Sequence, residues 1–185
     1  MSYSATVSAL WLVLVLYWVV SARGGKPTIY RYNPKLRILS LVLVVAMVTL
    51  IEDNPRYFFR QIYVPNGAGR AAGLLICAGG MAFAVWARRT LGSNWSADPS
   101  IKEGHELIER GPYRLVRHPI YSGFLLALAG TGLGSGRVMH LYIVGISLMG
   151  MCLKLRIEES LMLRQFPQAY REYMRRTKAL IPFVL

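Results

Sequence analysis

Acidic side chains are scarce in this chain: nine Asp and Glu stand against 22 Lys and Arg in 185 residues, a formal net charge of +13. A surplus of that kind points to nucleic acid or to a membrane surface. The basic residues lie in the gaps between apolar runs, which decides for the membrane and against nucleic acid. Cysteine is nearly absent. Cys77 and Cys152 both sit inside apolar runs, so no disulfide framework is implied and neither has the neighbours of a metal site. The three histidines are too scattered for a metal cluster. A Walker motif, an HExxH pair and a serine elbow are all missing, which argues against a soluble Rossmann-type methyltransferase or dehydrogenase. The run Gly132-Leu133-Gly134-Ser135-Gly136 imitates a nucleotide loop, but it follows no strand and separates two apolar runs. It reads as a hairpin turn, and no other phosphate-binding loop supports a nicotinamide-dependent reductase.

What the chain has in quantity is apolar sequence, 54% of its residues. That is too apolar for an ordinary soluble domain and fits a small polytopic membrane protein. Residues 1–185 read as one integral membrane domain of the all-α class, with five transmembrane helices at roughly 4–22, 36–51, 71–88, 119–134 and 138–157. A polar segment, 89–118, separates the third and fourth spans, and a charged amphipathic tail, 158–185, follows the fifth. Met1–Ser4 carries no positive charge, so the first run reads as a retained span rather than a signal peptide. With the N-terminus outside, the cytoplasmic segments 23–37, 88–119 and 154–178 hold eighteen of the Lys and Arg, and the outward segments 52–70 and 134–140 hold four. That asymmetry sets the orientation and puts the C-terminus in the cytoplasm. The formal glycosylation sequon Asn94-Trp95-Ser96 then falls on the cytoplasmic side.

The densest polar cluster, Ile101 to Gly123, lies hard against apolar runs, and ionisable groups in such a place mark a functional site by default. Pro119 is suited to the first turn of the fourth helix, whose N-terminal amides, beside Arg117 and His118, suit an anionic group such as a carboxylate. The competing reading is that Arg117 and His118 only meet lipid headgroups. Lys154 and Glu158 are four apart at the cytoplasmic end of the fifth helix and share a face. The adjacent Glu158 and Glu159 would oppose the helix dipole if the helix stopped there; continuation into the tail, or a bound cation or hydroxyl, would relieve this. A solvated charged turn is the plainer alternative. Gly123, Ala127, Gly130 and Gly134 recur at three- and four-residue spacing, which lets the fourth helix pack closely on its neighbours. In the tail, Ala169, Tyr170, Tyr173, Met174 and Thr177 share one face, as in a helix lying at the membrane interface or a lid over a site.

Taken together, Leu91-Gly92-Ser93-Asn94-Trp95-Ser96, His105-Glu106-Leu107, Gly111-Pro112-Tyr113, Arg117-His118-Pro119-Ile120-Tyr121-Ser122-Gly123, Glu158-Glu159, Leu161, Phe166, Tyr170, Tyr173 and Leu180-Ile181-Pro182 resemble the isoprenylcysteine carboxyl methyltransferase family. The resemblance covers about residues 88–185 in specific motifs. It implies S-adenosyl-L-methionine as cofactor, held on the cytoplasmic side by the C-terminal half, and a lipophilic or prenylated acceptor arriving from the bilayer. The implied cofactor-binding residues are His105, Leu107, Tyr113, Arg117, His118, Pro119, Tyr121, Glu158 and Glu159. His105, Arg117 and His118 would hold the cofactor carboxylate, Glu158 or Glu159 the ribose hydroxyls or ammonium, and Tyr113 and Tyr121 the adenine or sulfonium. Leu107 would contribute main-chain contacts. Arg156, Lys154 and Glu159 are the candidate catalytic residues, with Arg156 or Lys154 orienting the acceptor carboxylate. No metal is expected. Methylation of a phospholipid amine, a thiol or a small isoprenoid remains an alternative, as does a non-catalytic membrane scaffold.

Overall fold

The computed structural model describes residues 2–23, 26–31, 42, 45–46 and 49–182. The first helix, α1, is Tyr3–Ser21, started by Ser2, whose hydroxyl accepts a hydrogen bond from the Ala5 amide at 3.3 Å. It is apolar all round. Val7 and Leu14 are buried in the protein, while Leu12, Val13, Leu16 and Val19 face outward. Such a helix is stable only where its outer face also escapes water. A single helical turn, α2 (Pro55–Phe58), precedes the long helix α3 (Gly67–Leu91), which Asn66 caps through its side chain at 2.8 Å from the Gly69 amide. Then follow α4 (Pro119–Ser135), α5 (Val138–Gln165) and α6 (Ala169–Arg176). Among the described residues, three helices are long and apolar enough to cross a membrane: Tyr3–Ser21, the stretch Gly67–Asn94 and Val138–Gln165. The second expected span, 36–51, lies largely outside the described residues.

Helices α3 and α4 pack backbone to backbone, and the small residues explain it. A Cβ placed on Gly130 would stand 2.4 Å from the Cys77 nitrogen, one on Gly80 2.5 Å from the Ala127 nitrogen, and one on Gly123 2.6 Å from the Gly80 carbonyl oxygen. Only hydrogen fits at these positions, so the interface is the small-residue contact expected of helices packed without a hydrophobic driving force. Helix α1 lies across this pair. Leu14 joins Cys77, Met81 and Ala127 in one core, with Trp11, Trp18 and Phe124 packed around it. The Tyr3 hydroxyl donates to the carbonyls of Gly130 and Thr131, each at 3.1 Å, and the Trp11 indole N–H donates to the Thr131 hydroxyl at 3.1 Å.

The glycine run at 132–136 is the end of α4, closed by Gly136 in the left-handed conformation (φ 66°) before α5 begins. It is a turn, as its sequence implies. Helix α5 runs on to Gln165 rather than ending near 157, which keeps Glu158 and Glu159 inside a helix, away from the unfavourable end of its dipole. The tail therefore begins at 166, not 158.

Two features differ from an all-helical reading. Thr28–Arg31 (β1) and Ser100–Lys102 (β2) form a two-stranded antiparallel sheet, with Thr28 opposite Lys102 and Arg31 opposite Ser100. The Lys102 ammonium donates to the Thr28 hydroxyl at 2.9 Å across it. β-Branched and aromatic residues in Thr28-Ile29-Tyr30 favour the extended state, and the loop after α1 leaves them free to take it. The tail also turns inward. Tyr170, Tyr173 and Thr177 on α6 and just beyond it are buried in the protein, not laid on the membrane, and of the expected face only Ala169 is exposed.

Gly130→Ala should destabilise the protein by ~1–3 kcal/mol, the usual cost of overpacking, and Gly130→Val by more. Gly145→Ala, where an added Cβ meets nothing within 4 Å, should be neutral or mildly stabilising. Thermal unfolding in detergent checks both.

Candidate active site

The residues Arg117 and His118 reach their positions because the tail holds the turn that carries them. The Arg117 amide donates to the Lys178 carbonyl at 2.8 Å and the His118 amide to the Ala179 carbonyl at 2.9 Å. Ser122, one turn into α4, donates its hydroxyl hydrogen to the Leu180 carbonyl at 2.5 Å. Leu180 and Ala179 pack with Leu155 of α5, flanked by Tyr121, Leu125 and Cys152. Helix α4 starts at Pro119, as expected, but the two amides before it are already bonded to the tail and do not face solvent.

Around this turn the charged groups interlock. The Arg117 guanidinium donates from Nε to Glu159 Oε1 at 2.7 Å, and its Nη1 donates to the carbonyls of Met174, at 3.4 Å, and Thr177. The His118 ring lies between the two glutamates, with Nε2 3.3 Å from Glu159 and Nδ1 3.5 Å from Glu158. Tyr121 donates to Glu158 Oε1 at 2.7 Å and stacks on the His118 ring, the two planes only 5° apart. Lys154 stands 3.8 Å from Glu158, donates to the Ala97 carbonyl at 2.7 Å and lies 5.5 Å from the Tyr121 ring centre. The cluster thus holds three cations, Arg117, His118 and Lys154, against the two carboxylates. Burial alone would lower the His118 pKa. Hydrogen bonds to Glu158 and Glu159, and their charges, outweigh it and raise the imidazole above its ordinary value. With a carboxylate at each ring nitrogen, the doubly protonated form is the one that fits.

A cavity of about 420 Å³ opens beside the cluster. It is lined by the polar side chains of His105, Glu106, His118, Lys154 and Glu158, among others, and by the apolar ones of Trp18, Trp95, Ile120, Phe124 and Met151. Tyr170 and Tyr173 of α6 close one side. The Tyr173 hydroxyl donates to the Tyr113 carbonyl at 2.6 Å, which ties α6 to the turn before Arg117. His105, whose pKa is lowered by burial and then by Lys26 and Lys102, faces the cavity as a neutral ring. Lys26, ahead of β1, donates to Gly104 at 2.7 Å and to Asn94 at 3.3 Å, and so fastens the loop that carries His105.

The expected residues therefore meet, with distinctions. His105, Leu107, Tyr113, Arg117, His118, Tyr121, Lys154 and Glu158 all line the one cavity. Glu159 stands behind it, holding Arg117 and His118. Pro119 is buried and does not line it. Arg156 is exposed on another side of α5, away from the cavity. Trp18, Asn94, Trp95 and Phe124 belong to the walls without having been assigned a role. Asn94 and Trp95 lie inside a matching motif, which was the signal available. Trp18 and Phe124 look in sequence like any other aromatic residue of an apolar span.

Helices suited to a membrane, with one cavity lined by both polar and aromatic side chains, define an α-helical membrane protein with a small-molecule-sized site. A family model described as phospholipid methyltransferase matches residues 68–169, more than half of the chain. The chain belongs to that family. Two rice relatives, from Oryza sativa subspecies indica and japonica, are each a probable protein-S-isoprenylcysteine O-methyltransferase; both are 34% identical over 84 residues, 45% of this chain and 44% of theirs. The chain thus matches less than half the length of these curated relatives. A solved structure of the eukaryotic intramembrane Ras methyltransferase ICMT superposes with a TM-score of 0.53 at 25% identity, covering 84% of this chain and 55% of that one.

The buried Arg117–Glu159 pair is 10% and 13% exposed on its two side chains, so Glu159→Gln should cost about 3–5 kcal/mol by leaving a cation unmatched. Because His118 is raised in the folded state, its contribution is complete below the ordinary histidine pKa and fades as pH rises through the raised value. The wild-type melting temperature should fall over that window, from the ordinary histidine pKa upward, more steeply than that of His118→Gln.

Proposed function

We propose that this protein transfers a methyl group from S-adenosylmethionine to the carboxylate of a lipophilic, isoprenylcysteine-like acceptor at the inner face of a membrane. The observation that carries the reading is the interlocking of Arg117 and His118 with Glu158 and Glu159, beside a cavity that Arg117, His118 and Glu158 line together with aromatic side chains. The donor set fits the cofactor: Glu158 and Asn94 suit hydroxyl or ammonium groups, the tyrosine rings suit adenine and sulfonium, and neutral His105 and the nearby loop suit its polar end. The bound cofactor would supply an electrophilic methyl group.

The chain's own residues then have modest tasks. A carboxylate acceptor is already ionised near neutral pH and needs no general base. Lys154 is the third cation beside two carboxylates, held loosely at 3.8 Å from Glu158, and it lines the cavity, so it is the residue suited to orient that carboxylate. His118 and Lys154 act as counter-charges that keep Glu158 in place, while Tyr121 fixes its Oε1 and Arg117 holds the neighbouring Glu159. Tyr170 and Tyr173 exclude water from the reacting end. The acceptor's apolar chain would lie along Trp18, Phe124 and Met151. On this reading the N-terminus lies outside and the site faces the cytoplasm.

The family description favours a second reading, methylation of a phospholipid amine. Such an acceptor must lose a proton, and Glu158 is a carboxylate of the charged cluster that lines the cavity.

Purified protein should bind S-adenosylhomocysteine in a calorimetric titration and methylate N-acetyl-S-farnesylcysteine from labelled cofactor, giving a base-labile product. Lys154→Ala should lower kcat/KM for this acceptor by about tenfold or more while leaving S-adenosylhomocysteine affinity within about twofold. A base-stable product on phosphatidylethanolamine would establish the amine reading instead. A folded preparation that binds no S-adenosylhomocysteine would remove both.

A further inference from the structure

Arg88 has no part in the chemistry above, yet it is a buried cation, 7% exposed, at the last turn of α3. Its Nη1 donates to the Gly92 carbonyl at 2.9 Å and its Nη2 to the Ser21 carbonyl at the end of α1. Its Nε is buried with no hydrogen-bond partner among the described residues. A side chain serving only to cap two helix ends would not need to leave a buried donor unmatched. The arrangement makes sense from the face of the guanidinium: it lies over the Trp95 indole, 4.4 Å from the ring centre. A desolvated cation against tryptophan is the strongest pairing of this type.

Trp95 is the start of an aromatic series. Its ring stands edge-on to Trp18 at 6.3 Å, and Trp18 stands edge-on to Phe124 at 5.0 Å. All three line the cavity, whereas Arg88 does not. One guanidinium therefore fixes both the indole of Trp95, through its face, and the end of the helix that carries Trp18, through Ser21.

We propose that Arg88 is a positioning residue, acting through Trp95, that sets the wall against which the acceptor's lipophilic chain lies. This rests on the methyltransferase reading. Arg88→Met should raise the KM for N-acetyl-S-farnesylcysteine by about tenfold, with kcat within about threefold and S-adenosylhomocysteine affinity within about twofold of wild type. Arg88→Lys, which keeps a cation near the indole, should recover most of the loss. Trp95→Leu should raise KM equally, and the double variant should be no worse than either single one. Unchanged KM, a parallel loss of S-adenosylhomocysteine affinity, or additive effects in the double variant would overturn the proposal.

If Arg88→Met does not fold, Trp95→Leu and Arg88→Lys decide alone: a raised KM in the first with near-normal KM in the second supports it, and any other pattern overturns it. If the wild type neither transfers methyl nor binds S-adenosylhomocysteine, the methyltransferase reading fails by itself. Quenching of tryptophan fluorescence by the same farnesyl probe then tests Arg88. A wild-type response weakened about tenfold by Arg88→Met supports the wall; no response, or an equal one, overturns it.

Discussion

Two glutamates placed side by side on one helix and largely removed from water repel each other and are costly to desolvate. The chain resolves this by inserting the Arg117-His118 pair from the start of a different helix, so that each carboxylate faces a cation: Arg117 2.7 Å from Glu159, and His118 between Glu159 and Glu158. Neither half is stable in that place alone. The cluster therefore does not so much strengthen the fold as select one arrangement of α4 against α5, since any other would strand a charge in a poorly hydrated place. The inward-turned tail completes it by supplying the carbonyls of Met174 and Thr177 to the remaining guanidinium hydrogens.

The glycine contact between α3 and α4 does the complementary work on the apolar side. With backbone touching backbone, there is little side chain to repack, and α4 is held at one depth along α3. That depth sets the turn carrying Arg117 beside the loop carrying Trp95 and His105. The cavity lies where these two constraints meet, one electrostatic and one steric.

Much of this arrangement was legible in the residues. The small-residue spacing in α4 announced a close helix contact, Pro119 announced the helix start, and the adjacent glutamates required either a longer helix or a partner; the structure has both. These are local rules with a single solution. What escaped was set by long-range packing. Thr28–Arg31 becomes a strand only because β2, about seventy residues away in sequence, lies within reach. The tyrosine face of α6 fits a membrane surface as well as a protein one, and only the position of α5 decides between them. Arg88 and Arg89 read alike as basic residues ending a span, yet Arg88 is buried and Arg89 is not. Arg156 was singled out by its closeness to Glu158 in sequence, but its position on the helix carries it away from the cavity.

The distance in sequence between Arg117 and Glu159 has a consequence for biogenesis. When α4 is inserted, Arg117 has no counter-ion, because Glu159 is still 42 residues away. Until then its guanidinium must stay hydrated, which anchors that end of the helix in water. Arrival of α5 discharges this temporary anchor. The guanidinium that completes the folded cluster is thus an unmatched charge early on, and the helix that carries it gains its partner only when α5 is made.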